Sequence, residues 1–561
     1  MRRLPALLVL SFLALAALAT AQGTVRARRV SANNPRVRSS GASFLERAGG
    51  RELAPARFPQ EFRTVTGRGN NGEHPSWGRA GIPLRRMASV GYADGISEPA
   101  GPNRSGARAV SNSCLAQDRS RPNSKRASSF LWQWGQFLDH DLSLTPFADP
   151  AEPFDIDVPR GDPFFDPTGT GEESMALDRS AWRSVSGVRQ QVNAITAYID
   201  ASNVYGSDRR RARVLKARNG TGELALGDDD LLPLNRKRLP NAPSDDPGYF
   251  LAGDFRANEQ VGLTAMHTVF VREHNHWARL ISEAEPRLRP KKVYEMARAV
   301  VGAEIQAISY REFLPVLLGP HALTPYHGYD PTVDAGIANE FATAAYRVGH
   351  TMLPAELLRL DGAMQPIEAG PLALRDAFFS PDAFRQSGPD ALLRGLKGQP
   401  AQEVDVEVID DVRNFLFGSP GSGGFDLSAL NIQRGRDHGL PGLNRTRMDY
   451  GLPPYADFAA VTPDPRAQEA LAEVYASVDD VDLWVGGLVE PHRPGAMVGE
   501  TFFTILKDQF ERLRDGDRFW YESYLPSDWV HLVNHQTLAR ILRRNTGLGH
   551  EIGADAFLLP R

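Results

Sequence analysis

One short segment places acidic, amide and imidazole side chains inside an otherwise apolar run. In WGQFLDHDLSLTP, residues 134–146, Gln136 and His140 are four positions apart and share one helical face, with Asp139 beside them. Asp141 lies two positions beyond Asp139 and therefore points in another direction. Burial of this much charge is unfavourable unless a metal or a cofactor compensates it. The segment predicts a helix that can serve two sites, whereas a core helix with a hydrogen-bonded histidine is the simpler interpretation.

A second segment is rich in oxygen-bearing side chains. TAYIDASNVYGSD, residues 196–208, carries Thr196, Asp200 and Ser202 at a spacing that can wrap a loop around a hard cation, which prefers oxygen ligands. An ordinary turn built on an Asp side chain explains the same residues without a metal. The segment by itself leaves both interpretations open.

A third segment, residues 252–280, becomes helical in its periodicity after its first turn. Arg256 and Glu259 are three positions apart, so a cation and a carboxylate can face one pocket and take separate tasks. The histidines of this segment do not form the HExxH pattern of a zinc site and are interpreted as structural: His267, His274 and His276.

Two later segments add further polar groups. AAYRVGHTMLP, residues 344–354, predicts an apolar helix that carries His350 and ends at Pro354. LNIQRGRDHGLPG, residues 430–442, contains amide, basic and imidazole side chains, and its His438 is interpreted as structural.

Helices must bring these separate segments together. Ser128 and Ser129 offer an N-cap to the first helix. Longer helical runs are predicted over 258–283 and 291–310. Apolar residues recur at helical spacing through the first helix: Phe130, Leu131, Trp134, Phe137 and Leu138.

The five segments resemble the motifs of the animal-type haem peroxidases, the family that contains myeloperoxidase, lactoperoxidase and peroxidasin. They occur in the family's order, and the resemblance spans most of the chain from about Tyr92 to the C-terminus. Residues 92–112 also resemble the family's approach to this helix. The resemblance implies a mainly α-helical fold around a central haem, with very little β-sheet. The single cysteine, Cys114, excludes an intramolecular disulfide; this departs from the vertebrate members and indicates a bacterial-type relative.

The resemblance implies a distal haem pocket and a covalently attached cofactor. His140 corresponds to the distal histidine, Gln136 lines the distal cavity, and Arg256 is the distal catalytic arginine. Asp139 and Glu259 correspond to the residues that form ester links to a haem b derivative. Two ester links are expected.

The resemblance also implies a proximal side. His350 corresponds to the iron ligand, and Asn431 accepts the N–H of its imidazole, which orients the ring and leaves it less anionic than a carboxylate partner would. Arg347 and Arg434 correspond to partners of the haem propionates. At Gln260 the chain departs from myeloperoxidase, where a methionine forms a sulfonium link, and is similar to lactoperoxidase or peroxidasin.

The oxygen-rich loop is similar to the calcium loop of the family. The ligands implied are the side chains of Asp141, Thr196, Asp200 and Ser202 and the backbone carbonyl of Tyr198. A calcium ion there would tie the first helix to the loop and keep His140 in register.

The reaction implied is peroxide reduction. His140 would take a proton from the peroxide and return it to the leaving oxygen, while Arg256 would stabilise the developing charge. A ferryl intermediate would then oxidise bromide, iodide, thiocyanate or a small organic donor. Strong chloride oxidation is not expected, because Gln260 cannot form the sulfonium link.

The composition and the N-terminus indicate an exported globular protein. The chain has 561 residues, of which 42% are hydrophobic, and a formal net charge of −4. Its start reads as a signal peptide, residues 1–21, with cleavage after Ala21 and a secreted or periplasmic destination. A retained membrane anchor is the alternative, but the apolar run is short for a span of ~20 residues, and no later segment can span.

The rest of the chain divides into two parts. Residues 22–75 form a basic segment, predicted to be flexible, and residues 76–561 form the catalytic domain. Nothing indicates nucleic-acid binding. The oligomeric state and the purpose of the basic segment stay open.

Two other functions compete with the peroxidase. Fatty-acid dioxygenases share the fold and use a tyrosyl radical near the proximal histidine, but Tyr346 stands four residues before His350 rather than three. The second is a non-enzymatic extracellular protein with an inactive domain, which is disfavoured because every expected haem residue is present.

Overall fold

The computed structural model describes residues 57–560. The predicted signal peptide and most of the basic segment lie outside the described residues. The fold is mainly α-helical with little sheet, which confirms the predicted fold class.

The helices in chain order are α1 (Ala107–Cys114), α2 (Phe130–Leu142), α3 (Ser202–Tyr205), α4 (Arg209–Val214), α5 (Val261–Ala284), α6 (Pro290–Ile308), α7 (Leu314–Leu317), α8 (Asn339–Thr343), α9 (Leu374–Ala377), α10 (Pro381–Gly398), α11 (Asp410–Arg413), α12 (Leu427–Asp437), α13 (Leu443–Asp449), α14 (Phe458–Val461), α15 (Pro465–Val474), α16 (Leu483–Val489), α17 (Glu500–Asp515), α18 (Tyr521–Tyr524), α19 (Ser527–Asn534) and α20 (Leu538–Asn545). Helix α10 is broken inside by Gly388 and Pro389. Short 3₁₀ helices cover Asp228–Asp230, Ala345–His350, Val478–Asp480 and His550–Ile552, and a π-helical turn covers Ser309–Phe313.

The strands are short and antiparallel, and they form three small sheets in the described part of the chain. The largest sheet has the order β1 (Ile82–Pro83), β5 (Val188–Asn193) and β4 (Trp182–Val185), with Ile82 opposite Asn193 and Trp182 opposite Gln191. The strands are β1 (Ile82–Pro83), β2 (Ile156–Asp157), β3 (Ser174–Met175), β4 (Trp182–Val185), β5 (Val188–Asn193), β6 (Glu356–Leu357) and β7 (Leu372–Ala373).

Helix α2 passes through the core, as its apolar spacing predicts. Trp134, Phe137 and Leu138 are fully buried, and the Trp134 indole donates a hydrogen bond to Ser309 Oγ (3.2 Å). At the N-terminus, the Ser128 hydroxyl accepts from the Phe130 N–H (3.3 Å), whereas Ser129, the N-cap residue, makes no side-chain capping hydrogen bond. Because the helix is packed on all sides, its polar side chains can face only internal cavities or buried partners.

Helices α5 and α6 correspond to the two long predicted runs. The Gln260 side chain caps α5 by accepting from the Gly262 N–H (2.6 Å), so the helix begins three residues later than the periodicity suggests. Pro290 occupies the first turn of α6, where its missing N–H is not needed. The predicted apolar helix around His350 is instead a tight 3₁₀ turn following α8.

Residues 57–75, which composition assigns to the flexible basic segment, pack on the helical domain. Phe58 is 1% exposed and meets Trp529 edge to face at 4.9 Å between ring centroids. Arg63 forms a bidentate ion pair with Asp517 (2.6 and 3.0 Å). Composition missed this because arginines that are paired and buried look the same in a sequence as arginines in a solvated segment.

The structure also shows the surroundings of the single cysteine and the character of the long helices. Cys114 is a buried free thiol, and burial raises its pKa to about 12, which makes the thiolate inaccessible at neutral pH. Within residues 57–560, none of the helices combines the length and the apolar character needed to cross a membrane.

Candidate active site

A cavity in the helical core gathers side chains from four distant parts of the chain. Helix α2, the segment before α5, the 3₁₀ turn at Ala345–His350 and helix α12 all contribute. Of the predicted haem residues, eight line this cavity: Gln136, Asp139, His140, Arg256, Glu259, Arg347, His350 and Arg434. The ninth, Asn431, lies behind His350. The remaining wall is largely apolar and includes Leu317, Phe378, Val412, Leu416, Leu427 and Leu430.

His140 is a buried, neutral base. Burial first, and then the positive charge of Arg256, hold the pKa of His140 well below the ordinary value of 6.5. Its Nδ1 lies 3.7 Å from Asp254 Oδ1, and its Nε2 lies 4.0 Å from Glu259 Oε2. The Nδ1 atom has no hydrogen-bond partner among the described residues. An unprotonated imidazole in this position can accept a proton.

Arg256 is held beside His140 by an ion pair with Asp254. Its Nε donates to Asp254 Oδ1 (2.8 Å) and its Nη2 to Asp254 Oδ2 (3.0 Å), while Nη2 also reaches the Ser143 carbonyl (3.0 Å). Burial would raise the pKa of Asp254, but Arg256 outweighs it, so that the pKa is lowered and Asp254 stays ionised. Sequence reasoning missed Asp254, although its place two residues before an expected catalytic arginine was a signal.

Two carboxylates face the cavity next to Arg256. Asp139 Oδ2 lies 3.5 Å from Arg256 Nη1, and its Oδ1 accepts from Ser143 Oγ (2.8 Å). Glu259 Oε1 accepts from Gln136 Nε2 (3.2 Å). Burial raises both pKa values, that of Glu259 to about 7, yet 31% of the Asp139 side chain and 22% of the Glu259 side chain remain open to the cavity. Both groups are therefore accessible to a bound molecule.

Gln260 belongs to an amide network beside these carboxylates. Its Nε2 donates to Gln133 Oε1 (2.6 Å) and to Gln136 Oε1 (2.9 Å). Because its own oxygen caps α5, the side chain is held at both ends. Gln133 was not predicted from the sequence, and it has no signal there beyond its place one turn before Phe137.

On the other side of the cavity, His350 is held by Asn431. Asn431 Nδ2 lies 2.8 Å from His350 Nδ1, and Asn431 Oδ1 accepts from Arg347 Nη1 (2.7 Å). This differs from the prediction that Asn431 accepts the imidazole N–H, because the cation of Arg347 attracts the amide oxygen. Among the described residues, nothing hydrogen-bonds to His350 Nε2, and burial lowers the pKa of His350 to about 3. With Asn431 Nδ2 donating to Nδ1, the proton of the neutral ring lies on Nε2, and it must move to Nδ1 before Nε2 can bind iron.

Arg434 and His438 lie beside each other at the end of α12. Arg434 Nη1 donates to Ser180 Oγ (2.8 Å) and to Asp437 Oδ2 (3.0 Å). His438 bonds through both ring nitrogens, to Ser180 Oγ (2.8 Å) and Asn339 Oδ1 (2.7 Å), as a structural histidine does. His267, His274 and His276 do not line the cavity.

The oxygen-rich loop meets α2 at Asp141, on the side away from the cavity. Asp141 Oδ2 accepts from the N–H groups of Asp200 and Ala201 (both 3.0 Å), and Oδ1 accepts from Ser202 Oγ (2.8 Å). Thr196 Oγ1 donates to Asp200 Oδ1 (3.0 Å). Burial, reinforced by the neighbouring Asp200, raises the pKa of Asp141 to about 7. The helix thus presents polar side chains to the cavity on one side and to the loop on the other, as its spacing predicts.

The residues present fit both groups that the sequence suggests. A cavity with a histidine on two sides, three arginines and an apolar wall suits a planar, anionic cofactor such as haem. Asp200 Oδ2 is buried without a hydrogen-bond partner among the described residues, which is the chemistry a hard cation satisfies. No group of three or more His, Cys, Asp or Glu residues in 57–560 is placed to hold a metal. Asp141 of α2 and Asp200 of the loop supply two carboxylates, and hydroxyl and carbonyl oxygens would complete the set.

Comparison with known proteins shows which family this chain is similar to. The model of the family described as animal haem peroxidase matches residues 62–557. Peroxinectin A from Dictyostelium discoideum is 34% identical over 518 residues, which cover 87% of this chain and 94% of the relative. Thyroid peroxidase from Sus scrofa is 35% identical over 89% of this chain, but the match covers only 60% of that longer protein.

Solved structures show the same likeness. Peroxidase A from Dictyostelium discoideum superposes with a TM-score of 0.81 at 34% identity, over 87% of this chain and 98% of that one. A fatty acid alpha-dioxygenase from Oryza sativa superposes with a TM-score of 0.75 at 22% identity, over 90% of this chain and 88% of that one. The second similarity is one of fold alone.

Proposed function

The chain belongs to the animal haem peroxidase family and is a peroxidase, and from that premise we propose that it uses hydrogen peroxide to oxidise bromide, iodide, thiocyanate or small organic electron donors. The observation that carries the proposal is the pairing of a neutral, buried His140 with an Arg256 that Asp254 holds in place, opposite His350 in one cavity. Haem, the cofactor of the family, supplies the iron at which peroxide is reduced.

The chain's own residues supply proton transfer and charge stabilisation. His140 accepts the peroxide proton at a ring nitrogen and returns it to the leaving oxygen, so that water can depart. The Arg256 guanidinium stabilises the negative charge that develops as the O–O bond breaks. Because Asp254 binds two nitrogens along one edge of that guanidinium, the charge is already oriented before peroxide enters.

On the opposite side, His350 is proposed to be the iron ligand and Asn431 its orienting partner. Arg347 and Arg434 are proposed to bind the haem propionates. Acceptance of the imidazole N–H by Asn431 requires its amide to turn and to release Arg347. If a carboxylate bound the Arg347 guanidinium in place of Asn431 Oδ1, the Asn431 amide would be free to turn.

Asp139 and Glu259 are proposed to form the two ester links. Support comes from their exposure to the cavity, where 31% of the Asp139 side chain and 22% of the Glu259 side chain can contact a bound cofactor. Gln260 offers no sulfur for a third link, which favours bromide, iodide and thiocyanate over chloride.

Calcium is proposed to bind between α2 and the loop. The side chains of Asp141, Thr196, Asp200 and Ser202 and the carbonyl of Tyr198 are the proposed ligands. Two adjacent buried carboxylates repel each other in the absence of a cation, and a divalent ion would remove that repulsion. We also propose export through residues 1–21, which lie outside the described residues.

A fatty-acid dioxygenase is the second candidate. Tyr346 lines the cavity and its hydroxyl is buried without a partner among the described residues, which suits a tyrosine that is oxidised. Against it stand Asp139 and Glu259, the proposed ester residues, which both face the cavity.

The test is to express the mature chain with haem and calcium, denature it in acidic organic solvent, and measure the haem absorbance that stays with the protein before and after peroxide. Retention that grows with peroxide, together with iodide oxidation, is the expected result. Asp139→Ala and Glu259→Ala should each remove one link. Free haem without any response to peroxide contradicts the peroxidase, and oxygen uptake with a fatty acid would then favour the dioxygenase.

A further inference from the structure

A chain of aromatic side chains leads from the cavity towards the surface. Tyr346 lines the cavity and contacts Phe510 with 5.7 Å between ring centroids. Phe510 contacts Tyr310 (6.0 Å), Tyr310 contacts Trp520 (4.7 Å), and Trp520 contacts Tyr326 (6.0 Å). Every step is an aromatic contact of ordinary geometry. Four of the five rings belong to tyrosine or tryptophan, the side chains most readily oxidised by one electron after cysteine.

The inner part of the chain is shielded from solvent, and its outer end is not. Phe510 is fully buried and Trp520 is 2% exposed, whereas Tyr326 is partly exposed in a segment without regular structure. The Tyr326 hydroxyl shares a hydrogen bond with Ser523 Oγ (2.5 Å). Only the end of the chain is therefore accessible to an external molecule.

Trp520 has a proton acceptor in place. Its indole Nε1 donates to Glu522 Oε2 (3.0 Å), and Glu522 is exposed to solvent. An indole that loses an electron becomes a strong acid, so a carboxylate at this nitrogen favours the oxidation and passes the proton to water. A tryptophan with only a packing role would not require this arrangement.

We propose that Tyr346, Tyr310, Trp520 and Tyr326 carry electrons from a second oxidation site at the surface around Tyr326 to the cavity, with Phe510 as a bridge. The site would oxidise one-electron donors too large to enter, such as phenolic side chains of proteins. This rests on the proposed function, because peroxide is the oxidant. One peroxide takes two electrons and two protons and yields two waters, while two phenols each lose one electron and one proton and become phenoxyl radicals.

The test uses the haem-loaded full chain, peroxide and a nitrone spin trap, with adducts located by peptide mass spectrometry. Adducts are expected on Tyr326, the partly exposed end of the aromatic chain. Tyr310→Phe keeps the ring and removes the oxidisable phenol, and should lower those adducts about tenfold or more while iodide oxidation stays within about twofold. Glu522→Gln should lower them without any change in core packing.

Tyr249 provides the matched control, because it is also partly exposed but has no aromatic contact with this chain. Labelling of Tyr249 to the same extent as Tyr326 would mean that diffusing oxidants attack the surface, and would overturn the proposal. Normal iodide oxidation with unlabelled Tyr326 would overturn it too. Loss of iodide oxidation in the unmodified chain would instead contradict the proposed peroxidase function.

Discussion

Both carboxylate oxygens of Asp254 bind the guanidinium of Arg256, and one of them also lies 3.7 Å from Nδ1 of His140. A single buried carboxylate thus orients Arg256 and lies close to His140, the two groups proposed to act on peroxide. Bidentate pairing restricts the guanidinium far more than a single hydrogen bond does.

Asp254→Asn should lower kcat/KM for peroxide about 10- to 100-fold, because Arg256 loses its charged partner and part of its orientation. Haem content, measured by absorbance, should stay unchanged. Asp246→Asn, at an exposed position, is the matched control. An Asp254→Asn enzyme as fast as the unmodified one would rule out the positioning role.

The pH dependence should reflect the lowered pKa of His140. The neutral ring is the active form, and burial and Arg256 both disfavour the charged form. As the pH falls, kcat/KM for peroxide should therefore persist below 6.5, the ordinary imidazole pKa, and decline only at distinctly lower pH. Asp254→Asn should shift that decline to still lower pH, because Asp254 raises the pKa of His140. If kcat/KM for peroxide fell to half its maximum at pH 6.5 or above, this would contradict the assignment of His140 as the proton acceptor.

Removal of either proposed carboxylate ligand, Asp141 on α2 or Asp200 in the loop, should remove calcium. In Asp141→Ala or Asp200→Ala, bound calcium measured by elemental analysis should fall from about one per chain to near zero, and haem retention should fall with it. Asp208→Ala changes a carboxylate in the same segment that caps α4 instead, and should keep the metal. A variant that binds haem and turns over normally without calcium would refute the proposal that calcium holds α2 to the loop.

Asn431→Asp should lower the reduction potential of the iron. A carboxylate at His350 Nδ1 makes the imidazole more anionic, which stabilises the ferric state. Potentiometric titration of the holoenzyme measures the effect, and Asn431→Ala, which removes the partner without adding charge, is the comparison. Equal potentials in the two variants would argue against contact between residue 431 and the ligand.

Acid should destabilise the protein through its buried histidines. Burial lowers the pKa of His267, His274 and His276 from 6.5 to about 4, so the unfolded chain takes up protons that the folded chain does not. The free energy of unfolding should therefore fall as the pH drops from about 6.5 to about 4, by up to about 3 kcal/mol for each ring.

Urea titrations at several pH values test this. The slope of the unfolding free energy against pH is set by the number of protons that the chain takes up on unfolding. His274→Gln should reduce that number by up to one. An unchanged slope would mean that this ring is also protonated in the folded state.

The sequence determined the parts of the site that depend on local geometry. Helical spacing alone predicts that Gln136 and His140 share a face and that Asp141 points away, and the structure places His140 on the cavity and Asp141 on the loop. The same spacing predicts the long helices α5 and α6. These relationships follow from 3.6 residues per turn and require no knowledge of the rest of the chain.

Only the tertiary structure decided which distant groups meet. The contact between Arg347 and Asn431, the clamp of Asp254 on Arg256, the packing of Phe58 on Trp529 and the aromatic chain from Tyr346 each depend on side-chain directions in turns or on segments far apart in sequence. Periodicity carries no information about such partners, because they are selected by dense packing of the whole core rather than by the backbone geometry of one element.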